Sequence, residues 1–251
     1  MYPTLVELGP VNVNSWGFML AIAVIVSIFG VGRLFDREGY NKEMVLDMVL
    51  IMVICGIIGS RLAYVLVYDW QAFLSNPLML FSLQDGGIAG LIWYGGLVGG
   101  FIPFAIYVYR KKLDFWLLMD MFAPYVALSY ALVRIGCFLA GCCYGEVTSC
   151  SLGVVFPYLD DLPRHPTQLY SSFINFILFA FLLWRYPRRR FTGEIFVFYI
   201  AGYAVYRFII EFFRENLIFY GPFTLGQVYT AGLFIIAVIL YLLRRNTGHS
   251  N

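Results

Sequence analysis

The sequence predicts an all-α, polytopic membrane protein with about seven transmembrane helices, its N-terminus outside and its C-terminus in the cytoplasm. The class follows from composition, because 61% of the 251 residues are hydrophobic and only 13% are charged. The mean hydropathy is +0.78, whereas soluble domains are roughly 45–50% apolar and about 25% charged. We expect the whole chain, residues 1–251, to form a single integral membrane domain.

The helices are predicted from apolar stretches that are bounded by charged clusters. A span needs about 20 apolar residues, and no stretch shows the strict alternation that is typical of a membrane barrel strand. The first stretch lacks a basic segment before it and a small-residue cleavage pattern after it, so we expect it to stay in the chain as a span. The predicted spans are 16–33, 45–68, 88–109, 115–133, 168–184, 194–213 and 226–243.

The orientation is predicted from the cations, which gather in every second connection. The cation-rich connections and the C-terminal tail contain Arg33, Arg37 and Lys42, then Arg110, Lys111 and Lys112, then Arg185, Arg188, Arg189 and Arg190, and finally Arg244 and Arg245. Because Lys and Arg are enriched in cytoplasmic loops, these segments are assigned to the cytoplasm. The connection at about 134–167 is then extracytoplasmic.

Five arginines depart from this pattern and are candidate functional residues. Arg134, Arg164 and Arg214 lie on the outward side, and Arg61 and Arg207 lie within apolar spans. A charge at that depth costs at least about 2.5–3.5 kcal/mol unless it finds a partner or water. Since a guanidinium group matches the geometry of a phosphate, the pattern indicates a site for an anionic lipid headgroup.

Other interpretations of these arginines stay open at this point. Arg207 and Glu211 are four residues apart and could form a purely structural ion pair, and Arg61 could extend its charge to the membrane surface. A transporter that binds a soluble anion would also use buried arginines, although the sequence shows no clear internal repeat. A membrane thiol oxidoreductase would require one of the cysteines to be essential.

Two segments are unusually rich in glycine or cysteine. The first runs from Asp85 to Gly100 and reads DGGIAGLIWYGGLVGG. Such glycine spacing is typical of closely packed helices or of irregular backbone beside a cavity. Tyr94 in this segment is either an interfacial aromatic residue or a ligand contact. The second, VRIGCFLAGCCYG, has glycines that let the backbone turn and approach a headgroup.

The cysteines are predicted to be either small packing residues or partners in a disulfide. Those on the outward side are Cys137, Cys142, Cys143 and Cys150, and an oxidising compartment would allow Cys150 to pair. Their spacing is not that of a standard zinc motif. We therefore expect no metal site.

Four segments together resemble the bacterial prolipoprotein diacylglyceryl transferase family: YGGLVGG, RIGCFLAGCCYG, RHPTQLY, and YRFIIEFFRE followed by LGQ. The resemblance covers nearly the whole chain. It implies an enzyme of the bacterial cytoplasmic (inner) membrane, surrounded by membrane lipids. Such an enzyme moves the diacylglyceryl group of phosphatidylglycerol to the lipobox cysteine thiol of a prolipoprotein signal peptide, forming a thioether and releasing glycerol phosphate. No cofactor and no nucleic acid are implied.

Most of the site residues follow from positions that match the family's motifs. Arg61 is added as an arginine within an apolar span, and Tyr94 as the residue that stands where the family has histidine. The resemblance assigns the signature arginine to Arg134 and the essential arginine of the sixth span to Arg207. We predict as catalytic Arg134, Arg207, Tyr94, His165 and Glu211. We predict as substrate-binding Arg134, Gly145, Arg207, Tyr203, Arg61, Gly95 and Gly96. Arg134 and Arg207 should then converge on one outward-facing chamber, where they stabilise the departing phosphate.

Several positions depart from the family pattern. The family has His-Gly-Gly where this chain has Tyr94-Gly95-Gly96, and the pattern GRxGNFxNGExYG is changed at Val133, Cys137, Ala140 and Cys142. Because the missing histidine has been proposed as the base for the acceptor thiol, the base stays open between Tyr94 and His165. A divergent member with another acceptor is the alternative.

Overall fold

The computed structural model describes residues 1–8, 11–76, 92–215 and 218–247. In these ranges the chain is mostly helical. The helices are α1 Ser15–Arg37, α2 Glu43–Tyr68, α3 Trp70–Ser75, α4 Trp93–Arg110, α5 Phe115–Ala140, α6 Thr167–Arg185, α7 Glu194–Glu211 and α8 Leu225–Thr247. The strands are β1 Thr4–Leu8, β2 Val11–Asn14, β3 Val154–Val155, β4 Pro163–Arg164, β5 Phe219–Tyr220 and β6 Phe223–Thr224.

A long helix lies at each predicted span. Among the described residues, α1, α2, α5, α6 and α8 are long and apolar enough to cross a membrane, so the fold is that of a polytopic membrane protein. The other two, α4 and α7, have 18 residues each. Glycines and tyrosines lower the hydropathy of α4, and α7 carries Glu194, Arg207 and Glu211. The number of seven spans and the orientation therefore stay predictions.

The all-α prediction missed the short strands in the connections. Strands β3 and β4 pair in antiparallel fashion, as do β5 and β6. Strands of two residues are too short to leave an alternating pattern in the sequence. They form because backbone groups outside helices still need hydrogen-bond partners.

The chain divides into two compact units, and each is described by itself. The first contains Met1–Val6, Val13–Val31 and Trp116–Asn251, and the second contains Glu7–Asn12 and Gly32–Phe115. That residues 1–251 form a single integral membrane domain is still a prediction.

In the second unit, glycines bring α2 and α4 into backbone contact. A Cβ on Gly59 would lie 2.6 Å from the carbonyl oxygen of Gly95, and a Cβ on Gly99 would lie 2.7 Å from that of Cys55. A Cβ on Gly96 would lie 3.4 Å from the carbonyl oxygen of Gly56. Close packing, one of the two expected uses of this glycine-rich segment, is confirmed for the described glycines. Gly86, Gly87 and Gly90 lie outside the described residues.

In the first unit, a buried carboxylate on α5 caps the N-terminus of α7. The Asp120 side chain is fully buried and accepts hydrogen bonds from the backbone N–H groups of Gly193 at 2.7 Å and Phe196 at 2.9 Å. These are among the groups that a helix start leaves without partners, and a negative charge there is favourable. Asp120 therefore fixes α7 against α5 at the end of α7 that is remote from Glu211.

We expect Asp120→Ala to lower the stability of the protein by about 2 kcal/mol, because two buried N–H groups lose a charged acceptor. Thermal unfolding in detergent measures this change. Asp161→Ala is the matched control, since Asp161 is exposed. Equal melting temperatures for the Asp120 variant and the control would show that the cap contributes nothing.

Candidate functional site: an arginine-lined cavity between α5, α6 and α7

A small cavity lies between α5, α6 and α7 in the first unit. Its free volume is about 10 Å³, which is room for about one water molecule, so a larger ligand must displace some of the lining side chains. It is lined by Tyr130, Arg134, Cys143, Thr167, Ser171, Tyr206, Arg207, Ile210 and Arg214. Arg134 and Arg207 thus face one cavity, as the sequence predicts, and Arg214 joins them.

Arg134 is oriented by a tyrosine one turn earlier on α5. Its Nε donates a hydrogen bond of 2.9 Å to the Tyr130 hydroxyl, and its guanidinium carbon lies 4.9 Å from the centre of the Tyr130 ring. Tyr130 in turn packs edge-to-face on Tyr203 and Tyr206 of α7. Among the described residues, no carboxylate forms an ion pair with Arg134, so its charge is available to a ligand.

Arg207 and Glu211 contact each other, as their spacing of four residues predicts. Glu211 is only 4% exposed, and its Oε2 lies 3.8 Å from Nη1 of Arg214. Three guanidinium groups outnumber one carboxylate and leave an excess of positive charge at the cavity. This excess favours an anionic ligand.

Glu211 is positioned by the start of α8. The Thr224 hydroxyl donates to its Oε1 at 3.2 Å and also accepts the Gln227 N–H at 3.1 Å. Oε1 of Gln227 accepts the Thr224 N–H at 3.0 Å, which completes a capping box. A Cβ on Gly226 would lie 2.6 Å from Cδ of Glu211. The TLGQ segment is therefore a helix start that also holds the buried acid.

We expect Gly226→Ala to displace the Glu211 carboxylate and to lower any activity that depends on Arg207 by about tenfold. The added methyl group overpacks the site at a cost of about 1–3 kcal/mol. Gly232→Ala is the matched control on the same helix, because no atom lies within 4 Å of its Cβ position. An equal activity for both variants, measured in the same membranes, would contradict the positioning role of Gly226.

The end of α5 builds the cysteine-bearing rim of the cavity. Gly141 has a φ of +76°, and its N–H donates to the carbonyl of Phe138 while the Cys142 N–H donates to that of Cys137, both at 3.1 Å. This is a Schellman motif, which brings the side chains before and after the turn together. Contacts with the neighbouring thiols, and then the charges of Arg134 and Arg214, hold the pKa of the Cys143 thiol well below its usual range.

Gly145 lies where three chain segments meet. Its N–H donates to the carbonyl of His165 at 2.9 Å, and the next N–H, that of Glu146, donates to the carbonyl of Phe213 at 3.0 Å. A Cβ at Gly145 would lie 2.7 Å from Cγ2 of Thr167 and 3.0 Å from Cβ of His165, and would also collide with the Phe213 carbonyl. Packing thus requires glycine here. Its predicted part in substrate binding stays a prediction.

His165 and Tyr203 lie beside the cavity-lining residues. Nδ1 of His165 is 3.3 Å from the Tyr170 hydroxyl, and Thr167, two residues further on, lines the cavity. Tyr203 contacts Tyr130 and Tyr206, and of these three tyrosines it is the one that does not line the cavity. Tyr203 is thus placed to support Arg134 through Tyr130.

The remaining predicted site residues belong to the second unit. Tyr94 is 70% exposed on the first turn of α4, and Arg61 is 4% exposed with its guanidinium carbon 5.5 Å from the centre of the Tyr64 ring. Gly95 and Gly96 face the backbone of α2. The roles assigned to these four residues stay predictions.

Two candidate residues of the connection between α5 and α6 lie outside the cavity. Arg164 does not line the cavity, because it is buried in ion pairs with Asp160 at 2.7 Å and Glu215 at 2.8 Å. The hydrogen bond from Arg164 lowers the pKa of Asp160. The Arg164 charge therefore stabilises the connection and does not serve a ligand. Cys150 is a free thiol, as are the other four cysteines.

Sequence reasoning missed several residues that build the site. Tyr130, Thr224 and Gly226 orient Arg134 and Glu211. A usable signal existed for Thr224, since Thr followed three residues later by Gln before an apolar run is a capping box. The tyrosine one turn before Arg134 gave a weaker signal, because aromatic residues are frequent throughout the chain.

The fold and the cavity together define a multi-pass membrane protein with an arginine-lined site. The family model described as prolipoprotein diacylglyceryl transferase matches residues 3–243. Relatives named phosphatidylglycerol–prolipoprotein diacylglyceryl transferase include one from Clostridium tetani, 36% identical over 220 residues, which are 86% of each chain. Another, from Geobacter sulfurreducens, is 35% identical over 256 aligned residues, covering 98% of this chain and 97% of the relative. The chain belongs to the prolipoprotein diacylglyceryl transferase family.

Proposed function

We propose that this protein transfers the diacylglyceryl group of phosphatidylglycerol to the lipobox cysteine of prolipoproteins in the bacterial cytoplasmic membrane. The observation that carries the proposal is the meeting of Arg134, Arg207 and Arg214 at one cavity in a member of this family. In this account the chain has seven spans, its N-terminus is outside, and the cavity faces outward.

The reaction has a charge pattern that the cavity matches. The acceptor thiolate attacks the glyceryl carbon next to the phosphate, a carbon–sulfur bond forms, and the carbon–oxygen bond breaks. Its electron pair stays on glycerol phosphate, while the thiol proton passes to a base. The phosphodiester donor carries one negative charge, whereas the leaving monoester approaches two. The excess of positive charge at the cavity therefore stabilises the transition state more than the bound donor.

The residues of the cavity divide into phosphate ligands and positioning groups. Arg134 and Arg207 bind the phosphate. Arg214, which lies in the connection after α7, is the third phosphate ligand. Tyr130 holds Arg134, and Glu211 holds Arg207. Because these supports are packed within the first unit, the guanidinium groups need little rearrangement when charge develops.

An apolar groove of the first unit is a separate candidate site for an acyl chain of the donor lipid. It lies between α7 and α8, on turns of α7 that flank Arg207. The groove is lined by Ala204, Val205, Phe208, Ile209, Thr230, Ala231 and Phe234. By the helical repeat the α7 positions of this groove lie on the side of α7 away from Tyr206 and Ile210, which line the arginine cavity.

The base is either His165 or Tyr94. An imidazole with a pKa near 6.5 is better tuned for proton transfer at neutral pH than a phenol near 10. If His165 is the base, His165→Ala lowers the transfer rate by about 10²–10⁴-fold. Tyr94→Phe gives that loss if the phenol is the base, so the transfer rates of the two variants decide between them.

The proposal is tested by complementation of a strain that is depleted of its own diacylglyceryl transferase. We expect growth, with mass spectrometry showing a diacylglyceryl thioether on a lipoprotein's N-terminal cysteine. Arg134→Ala should impair growth and lower the rate of thioether formation by about 10²–10³-fold. Arg110→Ala, which changes an exposed arginine of α4, should leave both unchanged. A well-expressed, inserted protein that leaves the cysteine unmodified would show that this chain uses another acceptor or lacks the activity.

A further inference from the structure

We propose that Cys137, Cys142 and Cys143 form a binding site for a thiophilic metal ion, Zn²⁺ or Cu⁺, at the rim of the arginine cavity. Their Sγ atoms all lie within 4.8 Å of one another, and those of Cys142 and Cys143 are 3.6 Å apart. With metal–sulfur bonds of about 2.3 Å, thiolates on one ion are separated by about 3.8–4.0 Å. Small side-chain rotations would therefore place all three sulfur atoms on a single ion.

The fold creates a cluster that the spacing alone does not suggest. Cys137 and Cys142 are the first and last residues of the Schellman motif that ends α5. The chain reverses at Gly141, which brings Cys142 back to the turn of the helix that contains Cys137. The four intervening residues are at the long end of the two to four that usually separate paired zinc ligands. The turn at the helix end replaces the short loop of a conventional motif.

The third ligand is held by an unusual backbone conformation. Cys143 has a φ of +64°, a region that residues other than glycine seldom occupy. Its carbonyl accepts a hydrogen bond of 2.9 Å from the Thr167 hydroxyl, and the Cys142 carbonyl accepts one of 2.6 Å from Nε2 of Gln168. Both donors are buried at the start of α6. The loop is thus anchored with its thiols gathered before any ion binds.

Charge and access also suit a metal ion. Three thiolates with one divalent cation carry a net charge of minus one, and Arg134 and Arg214 line the same cavity as Cys143. Binding is not a redox step, because the ion displaces the thiol protons to solvent. Cys142 and Cys143 are exposed, so an ion can reach them, and thiolate ligands select Zn²⁺ or Cu⁺ over harder cations.

The test uses the purified full-length protein in detergent with a phosphine reductant. We expect equilibrium dialysis to show one Zn²⁺ or Cu⁺ per chain, and Cd²⁺ to give the ultraviolet charge-transfer absorption of cadmium bound to thiolates. Cys143→Ser should weaken binding by more than about 100-fold, since even indirect supports of a metal site contribute 10–100-fold. Cys150→Ser and Cys55→Ser are matched controls that lie outside the cluster.

The proposal fails if Cys143→Ser binds as wild type does, if Cys150→Ser weakens binding equally, or if the charge-transfer band is missing. Zn²⁺ without Cu⁺ binding, or the reverse, identifies the ion. Because Cys137 is buried, its serine variant would place a hydroxyl group in the core. The exposed Cys143 variant therefore carries the test, with its melting temperature as the check on folding. Metal binding is measured without lipid, so the result is independent of the transferase proposal.

Discussion

Arg134→Ala is expected to lower the rate of diacylglyceryl transfer by about 10²–10³-fold, which corresponds to about 2.7–4 kcal/mol of lost transition-state stabilisation. Arg134 faces the cavity with no acidic partner among the described residues, and its charge is oriented by Tyr130. The substitution therefore removes a ligand for the departing phosphate without leaving a buried carboxylate unpaired. Transfer to a lipobox peptide in phosphatidylglycerol vesicles measures the effect.

Arg134→Lys should recover only part of this loss. Lysine keeps the positive charge but lacks the planar fork that binds phosphate with two hydrogen bonds. Arg110→Ala serves as the control for the loss of an arginine elsewhere in the chain. A rate for Arg134→Ala within twofold of that control would mean that Arg134 does not act on the phosphate.

Gly145→Ala is expected to destabilise the protein by about 3 kcal/mol, at the upper end of the range for overpacking. The added methyl group would collide with the Phe213 carbonyl and lie 2.7 Å from Cγ2 of Thr167. Backbone atoms are among these neighbours, so no side-chain rotation relieves the clash. Activity should fall as well, because Thr167 lines the cavity and Arg214 directly follows Phe213.

The measurement is the melting temperature in detergent together with the transfer rate of the folded fraction. Gly17→Ala is the matched control, since no atom lies within 4 Å of its Cβ position. A Gly145→Ala variant with wild-type stability would show that the connections at this junction can shift freely. The requirement for glycine would then have to come from contact with substrate.

The positions of the helices could be predicted because hydrophobic length is a local property of the sequence. Each predicted span has a helix in the structure, with most ends shifted by a few residues. α1 begins at Ser15 and α6 at Thr167, each within one residue of its predicted start. The short strands could not be predicted, because their pairing depends on which distant segments meet.

The cavity could be predicted in part, for a related reason. Buried arginines are costly and therefore visible in the sequence, which is why Arg134 and Arg207 were identified. Arg164 has the same signature, but its charge is taken up by Asp160 and by Glu215, which is 51 positions away in the chain. Sequence alone does not distinguish an arginine that binds a ligand from one that forms an ion pair with an acidic residue far away in the chain.

The residues that position the charged groups of the site also fall into two kinds: those that a local sequence pattern predicts and those whose contacts depend on how the helices pack. The capping box at Thr224 and Gln227 is a local pattern, whereas the bond from Thr224 to Glu211 depends on how α8 packs against α7. Likewise, Gly141 indicates the end of a helix. The anchoring of the cysteine loop by Thr167 and Gln168 depends on where α6 begins.

The central claim, that Arg134 and Arg207 act on one phosphate group, is tested most directly by a double-mutant cycle. Transfer rates are measured for Arg134→Ala, Arg207→Ala and the double variant. Thr224 and Arg214 keep Glu211 partnered when Arg207 is removed. We predict that the two effects are not additive, with a coupling free energy of at least about 1 kcal/mol. Effects that add to within about 0.5 kcal/mol would show two independent sites and would contradict the account.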